Sequence, residues 1–246
     1  MPTFFVASDA VAPPTIRISG SLLMHLKDSL RVQPGERLSF TDDRPVRYRA
    51  EITDVTAQQL VARILETIQP PPRSSPSLIL AQALLKGEKM DWVIQKATEL
   101  GVDRIVPLLA KHNVVKLKEE RIDHQVSRWR RITLEAAQQS ERWTVPIIEE
   151  PSTLAQLFTR YGNCLSKNIL AERSTGNSLT TTPLPDGPDN SILLVIGPEG
   201  GWDQEELLLA EEHGCRALTV GTRILRAETA ALAAVSIVQS RLGELG

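Results

Sequence analysis

Apolar and polar positions divide the chain into two stretches with different periods. Through the first 70 residues the apolar runs are short and several alternate. Val46, Tyr48, Ala50 and Ile52 take turns with Arg47, Arg49 and Glu51, the period of two that a half-buried strand requires. Further short strands are expected over 4–6, 15–18, 37–41 (after the Pro34-Gly35 turn) and 60–65. A helix over about 21–29 interrupts them, with Leu22, Leu26 and Leu30 at helical spacing and His25 as a packed member of it. Short strands at such intervals predict a small β-barrel.

From residue 78 the pattern changes. Residues 78–84 and 192–196 are unbroken apolar runs, which read as strands buried on both faces. Further strands fall over 104–109, 168–171 and 217–220, and helices over 86–100, 119–141 and 153–161. Met90, Val93, Ile94, Ala97 and Leu100 share a face of the first of these helices, and Gly101 ends it. Ile122, Val126, Trp129, Ile132 and Ala136 share a face of the second. Asp203 opens another helix, with Glu206 at capping-box spacing, and Gly214 closes it. The last helix, 229–242, is apolar almost all round, so it is expected in the core and at a subunit interface. Residues 173–190 are polar and turn-rich, an exposed loop. Alternating strands and helices predict an α/β domain with a parallel sheet. The proline-rich 69–76 is a semi-rigid spacer, which sets two domains at 1–72 and 73–246.

Composition narrows the function. The formal net charge of −2, with acidic and basic residues equal in number over 1–72, excludes a global field for nucleic acid, so any RNA contact is local. Arg121, Arg128, Arg130, Arg131 and Arg142 make the long-helix region basic, and Arg47 and Arg49 share one face of a strand. Two cysteines, Cys164 and Cys215, argue against a disulfide framework and suit a reducing, cytoplasmic location. Neither has a CxxC partner or clustered histidines, so no metal site is expected. The amino terminus lacks the pattern of a signal peptide, and no apolar run approaches the roughly 20 residues of a membrane span.

Candidate chemistry sits at two strand ends that each open into a glycine loop. One is Gly197-Pro198-Glu199-Gly200-Gly201; the other begins at Gly221 and runs through Ile224, Leu225 and Arg226 into the last helix. Ligands of open α/β sheets bind outside the carboxyl ends of strands. Neither loop has phosphate-binding spacing, and Glu199 adds negative charge, so a ligand with a cationic centre and a flat base fits better than a nucleotide phosphate.

IGPEGGW at 196–202, VGTRILRAETAALAA at 220–234, KGEKMDWVIQKATELGV at 86–102 and QSERWTVP at 139–146 resemble four signatures of the RsmE-type 16S ribosomal RNA uridine-N3 methyltransferases, in the SPOUT superfamily. The resemblance implies an α/β, SPOUT trefoil-knotted parallel-sheet domain preceded by a small PUA-like β-barrel that binds RNA. It also implies S-adenosyl-L-methionine as cofactor, 16S ribosomal RNA or the small ribosomal subunit as partner, and a homodimer with cofactor sites near its interface. Carried onto this chain, the cofactor positions are Glu172, Ile196, Gly197, Gly200, Gly201, Val220, Gly221, Ile224 and Leu225. Arg226 is expected to stabilise the uracil anion, and Glu199 or Glu228 to take the proton or bind the base edge. Glu228 is also a candidate cap for the last helix. Arg47, Arg49, Gln139 and Arg142 are candidate RNA contacts. The chain departs from the family at Thr3, where members usually carry Arg, and at Asp42-Asp43-Arg44, where they carry an Asp-Gly turn. A related enzyme acting on another RNA position and a non-catalytic ribosome-assembly protein are the alternatives; both loops and Arg226 favour catalysis.

Overall fold

Residues 3–115, 117–171 and 177–245 are described, in a computed structural model that divides into two units. The first comprises Met1–Pro72 with Ala137–Thr144, and the second Arg73–Ala136 with Val145–Gly246. Residues 137–144 therefore group with the strand-rich unit, although sequence order places them in the middle of the α/β stretch.

The first unit consists of β1 (Thr3–Phe5), β2 (Val11–Ala12), β3 (Thr15–Ile18), the short helix α1 (Gly20–Met24), β4 (Arg37–Thr41), β5 (Arg47–Val55) and β6 (Leu60–Ile68). The sheet order is β1-β4-β5-β6-β3-β2, with β1 parallel to β4 and the other pairings antiparallel. Alternation in β5 is as expected: Tyr48, Ala50 and Ile52 are buried and Arg49 is exposed. Register shifts at Arg49/Ala50 and Ile52/Asp54 increase the local bend of β5 against β6. The core gathers Ile16, Leu26, Phe40 and Leu60.

The helical spacing of Leu22, Leu26 and Leu30 does not survive. After α1 the chain makes a π-helical turn over His25–Ser29, closed by Leu30 N–H to His25 O at 3.1 Å. The wider turn rotates the face, so Leu23 and Leu26 are buried and Leu30 is left exposed. His25 is exposed too, its ring edge-on to Phe4. At the 42–46 turn the Asp42 carboxylate accepts from Arg44 Nε and Nη2, Tyr48 Oη and the N–H groups of Arg44 and Val46. Burial alone would raise this carboxyl, but the donors outweigh it and hold it below the usual range.

The second unit follows as β7 (Ser77–Ala83), α2 (Lys89–Glu99), β8 (Arg104–Leu108), α3 (Glu119–Gln139), β9 (Ile147–Ile148), α4 (Leu154–Arg160), β10 (Ser166–Leu170), β11 (Ser191–Ile196), α5 (Gln204–Glu212), β12 (Arg216–Leu218) and α6 (Ala227–Arg241). The last three residues of α3 belong to the first unit. All six strands are parallel, in the order β12-β10-β11-β7-β8-β9. Alternation explains the unbroken apolar runs. Leu78, Leu80, Ile192, Leu194 and Ile196 face one core with α2 and α6, while Ile79, Ala81, Leu193 and Val195 face the other with α4 and α5. Both faces are covered, so each residue of these strands must be apolar.

Two details of this unit tie sequence to packing. Gly101, just past α2, has φ +91, and a Cβ there would collide with the Gln239 side-chain amide of α6, which donates to Leu100 O at 2.8 Å. Gly101→Ala is expected to lower unfolding free energy by roughly 1–3 kcal/mol, read as a reduced denaturant midpoint at unchanged slope. The polar segment ahead of β11 is less exposed than its composition suggests. Leu179 is fully buried in the α6-side core, Ser178 bridges Thr219, and Arg241 Nη1 reaches Leu179 O at 2.7 Å. One apolar residue in a polar run anchors it.

Candidate active site

β12, β10 and β11 end side by side, and the loops leaving them line a cavity of about 1180 Å³. Its lining includes Leu170, Ile196 and Leu218 from the strands. The expected loop residues Gly197, Glu199, Gly200, Gly201, Val220, Gly221, Ile224, Leu225 and Arg226 line it as well. Glu172 lies outside the described residues, two positions beyond the end of β10. The apposition follows from topology, since ligand crevices form where parallel strands end together.

The first loop turns sharply: Gly201 N–H donates to Pro198 O at 3.0 Å, and Gly201 has φ +73. Asp203 then caps α5 in a capping box with Glu206, as its spacing predicts. Lys111 beside Asp203 holds that carboxyl below its usual range. Trp202 Nε1 donates to Leu170 O at 2.8 Å, which ties the loop to the end of β10.

The four glycines separate into two pairs. A Cβ at Gly197 would come within 3.1 Å of the Trp202 indole, and one at Gly200 within 3.1 Å of His112 O, so neighbours within the chain require both glycines. Gly201 and Gly221 (φ +153) have no atom within 4 Å of where a Cβ would stand. They need glycine for their backbone angles, and the space beside them is open.

Charge is organised around Lys89, the first residue of α2. Its Nζ lies 2.8 Å from Glu199 Oε1 and 3.4 Å from Glu228 Oε1, and hydrogen bonding to Glu199 raises the Lys89 ammonium above its usual range. Glu228 does not cap α6. The N-cap is Arg226, without a side-chain cap bond; Glu228 sits in the first turn, tied to Lys89, and its Oε2 is buried with no hydrogen-bond partner. Arg226 is exposed and has no ion pair among the described residues. Cys215 also lines the cavity, but burial pushes its thiol up to about 12, so it is no nucleophile at neutral pH. Among the described residues no cluster of three or more His, Cys, Asp or Glu side chains could hold a metal ion, and no helix is long and apolar enough to cross a membrane.

The candidate RNA contacts lie in the first unit. Arg47 stacks over Trp143, its guanidinium carbon 4.0 Å from the ring centroid, and donates to Glu141 O at 2.8 Å and Arg142 O at 3.2 Å. Desolvation lowers the Arg47 guanidinium, which is committed to holding 141–143. Arg49 pairs with Glu66, and Gln139 is exposed at the end of α3. A pocket of about 220 Å³ between Arg47, Arg49, Thr3 and Trp143 accompanies them. The basic face of α3 is largely neutralised, with Arg128 on Asp91, Arg130 on Glu150 and Arg131 near Glu135.

Sequence reasoning missed Lys89 and Trp202 as site residues. A cation at the first position of a helix opposes the helix dipole, a signal that Lys89 serves something other than α2.

Models of known families match both units: an RNA methyltransferase domain over residues 72–239 and an RNA methyltransferase PUA domain over 18–65. The α/β unit and its cavity are thus those of an RNA methyltransferase, preceded by a PUA-like domain in the expected SPOUT-type architecture. Ribosomal RNA small subunit methyltransferase E of Bacillus subtilis is 30% identical over 231 residues, 92% of this chain and 90% of the relative. The protein of the same name from Mesomycoplasma hyopneumoniae is 39% identical over 171 residues, 70% of this chain and 73% of the relative. A crystal structure of the Neisseria gonorrhoeae ribosomal RNA small subunit methyltransferase E bound to S-adenosyl methionine aligns with TM-score 0.85 at 30% identity, covering 98% of each chain. The chain belongs to the ribosomal RNA small subunit methyltransferase E family.

Proposed function

We propose that this protein transfers a methyl group from S-adenosyl-L-methionine to N3 of a uridine in 16S ribosomal RNA. The observation that carries the reading is the cavity at the ends of three parallel strands, lined by both glycine loops. The residues present fit the cofactor. Backbone at Gly201 and Gly221 borders open space, and Ile196, Val220 and Leu225 offer apolar surface to a flat base. Gly197 and Gly200 shape the first loop, Ile224 extends the wall, and Glu172 belongs to the same set by its place after β10.

When bound, the cofactor supplies an electrophilic methyl group on a sulfonium centre. Arg226 stabilises the negative charge that develops on the uracil imide, whose proton is acidic enough that no strong base is required. Glu199, on the cavity wall, is better placed than Glu228 to meet the base edge, since Glu228 is not part of the lining. The first unit, 1–72, serves as the RNA-binding domain. Arg49, Gln139 and Arg142 face RNA there, and Arg47 acts by fixing the segment that carries Arg142. A homodimer in the cytoplasm completes the reading. Leu232, Ala233 and Ile237 of α6 are only half-buried, which leaves an apolar face for a second copy.

Mapping methylated uridines in 16S ribosomal RNA from a deletion strain tests the reaction. One N3-methyluridine should vanish and return on complementation, and an unchanged map overturns the assignment. Light scattering of the purified protein should give twice the chain mass; a monomer removes the dimer.

A further inference from the structure

Lys89 stands where helix stability alone would not put it. It is the first residue of α2, at the positive end of the helix dipole, and Glu88 at the N-cap makes no side-chain cap bond. Its ammonium joins three elements: α2, the loop after β11 through Glu199, and the first turn of α6 through Glu228. Burial grades along this row. The Lys89 side chain is 36% exposed, Glu199 24% and Glu228 13%, and Glu228 Oε2 is wholly buried with no partner. One carboxylate would neutralise a structural lysine. The second leaves the row with one net negative charge, and Lys89 and Glu199 place that charge on the wall of the cavity. Arg226, on the same cavity, has no carboxylate partner among the described residues, so it does not cancel this charge by pairing.

We propose that Lys89 is a positioning residue that holds the Glu199 and Glu228 carboxylates at the cavity, so that the site discriminates a cationic ligand from an uncharged ligand of the same shape. Resting on the function proposed above, this makes the row the element that favours the sulfonium cofactor over the thioether left after methyl transfer. The two ligands share adenine, ribose and amino-acid portions and differ by one methyl group and one positive charge. Backbone contacts and apolar walls treat them nearly alike, whereas a fixed negative charge does not. Glu199 supplies the charge at the wall; Lys89 acts through Glu199 by fixing where it points; Glu228 holds the ammonium from behind.

Calorimetric titration of the full-length protein with S-adenosylmethionine and, separately, S-adenosylhomocysteine tests this without catalysis. Glu199→Gln removes the charge and keeps the shape. It should weaken S-adenosylmethionine binding about tenfold and leave S-adenosylhomocysteine within about twofold, so that the ratio of the two affinities collapses. Lys89→Met should reduce the ratio in the same direction because Glu199 is no longer held, and Lys89→Arg, which restores a cation, should recover most of it. Melting curves run beside the titrations. An unchanged ratio in Glu199→Gln overturns the proposal. So does an equal loss of both ligands in Lys89→Met in step with a lowered melting temperature, which would make the row purely structural. Failure of the unaltered protein to bind either ligand would instead overturn the proposed function, so the two failures are distinct.

Discussion

Arg226→Ala is expected to lower single-turnover methylation by about 10²–10³ while cofactor affinity stays nearly unchanged, the loss typical of one electrostatic donor to a developing anion. The structure sharpens this expectation. A competing role for Arg226 is a structural ion pair with Glu228, but Glu228 Oε1 is engaged by Lys89 at 3.4 Å, and Arg226 has no ion pair among the described residues. Its backbone is extended (φ −62, ψ 150) at the N-cap of α6, and the exposed side chain lines the cavity. Removing it should therefore leave the melting temperature close to that of the parent, since substitutions away from buried networks usually stay within about 0.5 kcal/mol. Arg226→Lys should recover little, because an ammonium cannot reproduce the planar two-point contact of a guanidinium. A variant with normal rate per folded molecule and a lowered melting temperature would return Arg226 to a structural role.

Gly201→Val is expected to abolish cofactor binding, by at least about a hundredfold in affinity, with the protein still folded. Two causes act together. At φ +73 a β-branched residue is strongly disfavoured and costs roughly 1–3 kcal/mol of local strain, which the loop relieves by moving its backbone. Because no protein atom lies within 4 Å of the Cβ position, the new side chain also projects into the space a ligand would occupy. Gly221→Val should behave the same way for the second loop. Gly197→Val is a contrast, because its side chain meets the Trp202 ring and should disturb the tie from Trp202 to Leu170 O, lowering stability as well as binding. Equilibrium titration and thermal melting of the three variants separate these cases. Retained affinity in Gly201→Val would make that glycine a turn residue only.

The α/β half was legible because its strands are buried on both faces and its helices are amphipathic, so composition and period point the same way. Residues 192–196 and 78–84 read as interior parallel strands, and they lie next to each other in the sheet. The capping box at Asp203 was legible because three residues suffice to define it. Two kinds of feature were not. A π-helical turn leaves no periodic trace, so Leu30 was assigned to a face that the turn rotates away. Long-range charge partners are invisible to local spacing: Lys89 meets Glu199 across 110 positions, and Glu228, which looked like a cap, is held by the same ammonium. Glycines were recognised as a group, but only the structure separates Gly197 and Gly200, which their neighbours demand, from Gly201 and Gly221, which open onto the cavity.

Residues Ala137–Thr144 have a consequence for how the chain is made. They complete the strand-rich unit, where Arg47 grips the carbonyls of Glu141 and Arg142 and the ring of Trp143. On a ribosome that unit's first 72 residues emerge long before the segment that finishes it, and most of the first half of the parallel sheet is synthesised in between. The amino-terminal unit must therefore wait, incomplete, for a piece delivered by the other half. Dividing the gene at the proline-rich spacer would leave each product carrying or lacking a part that belongs to its neighbour.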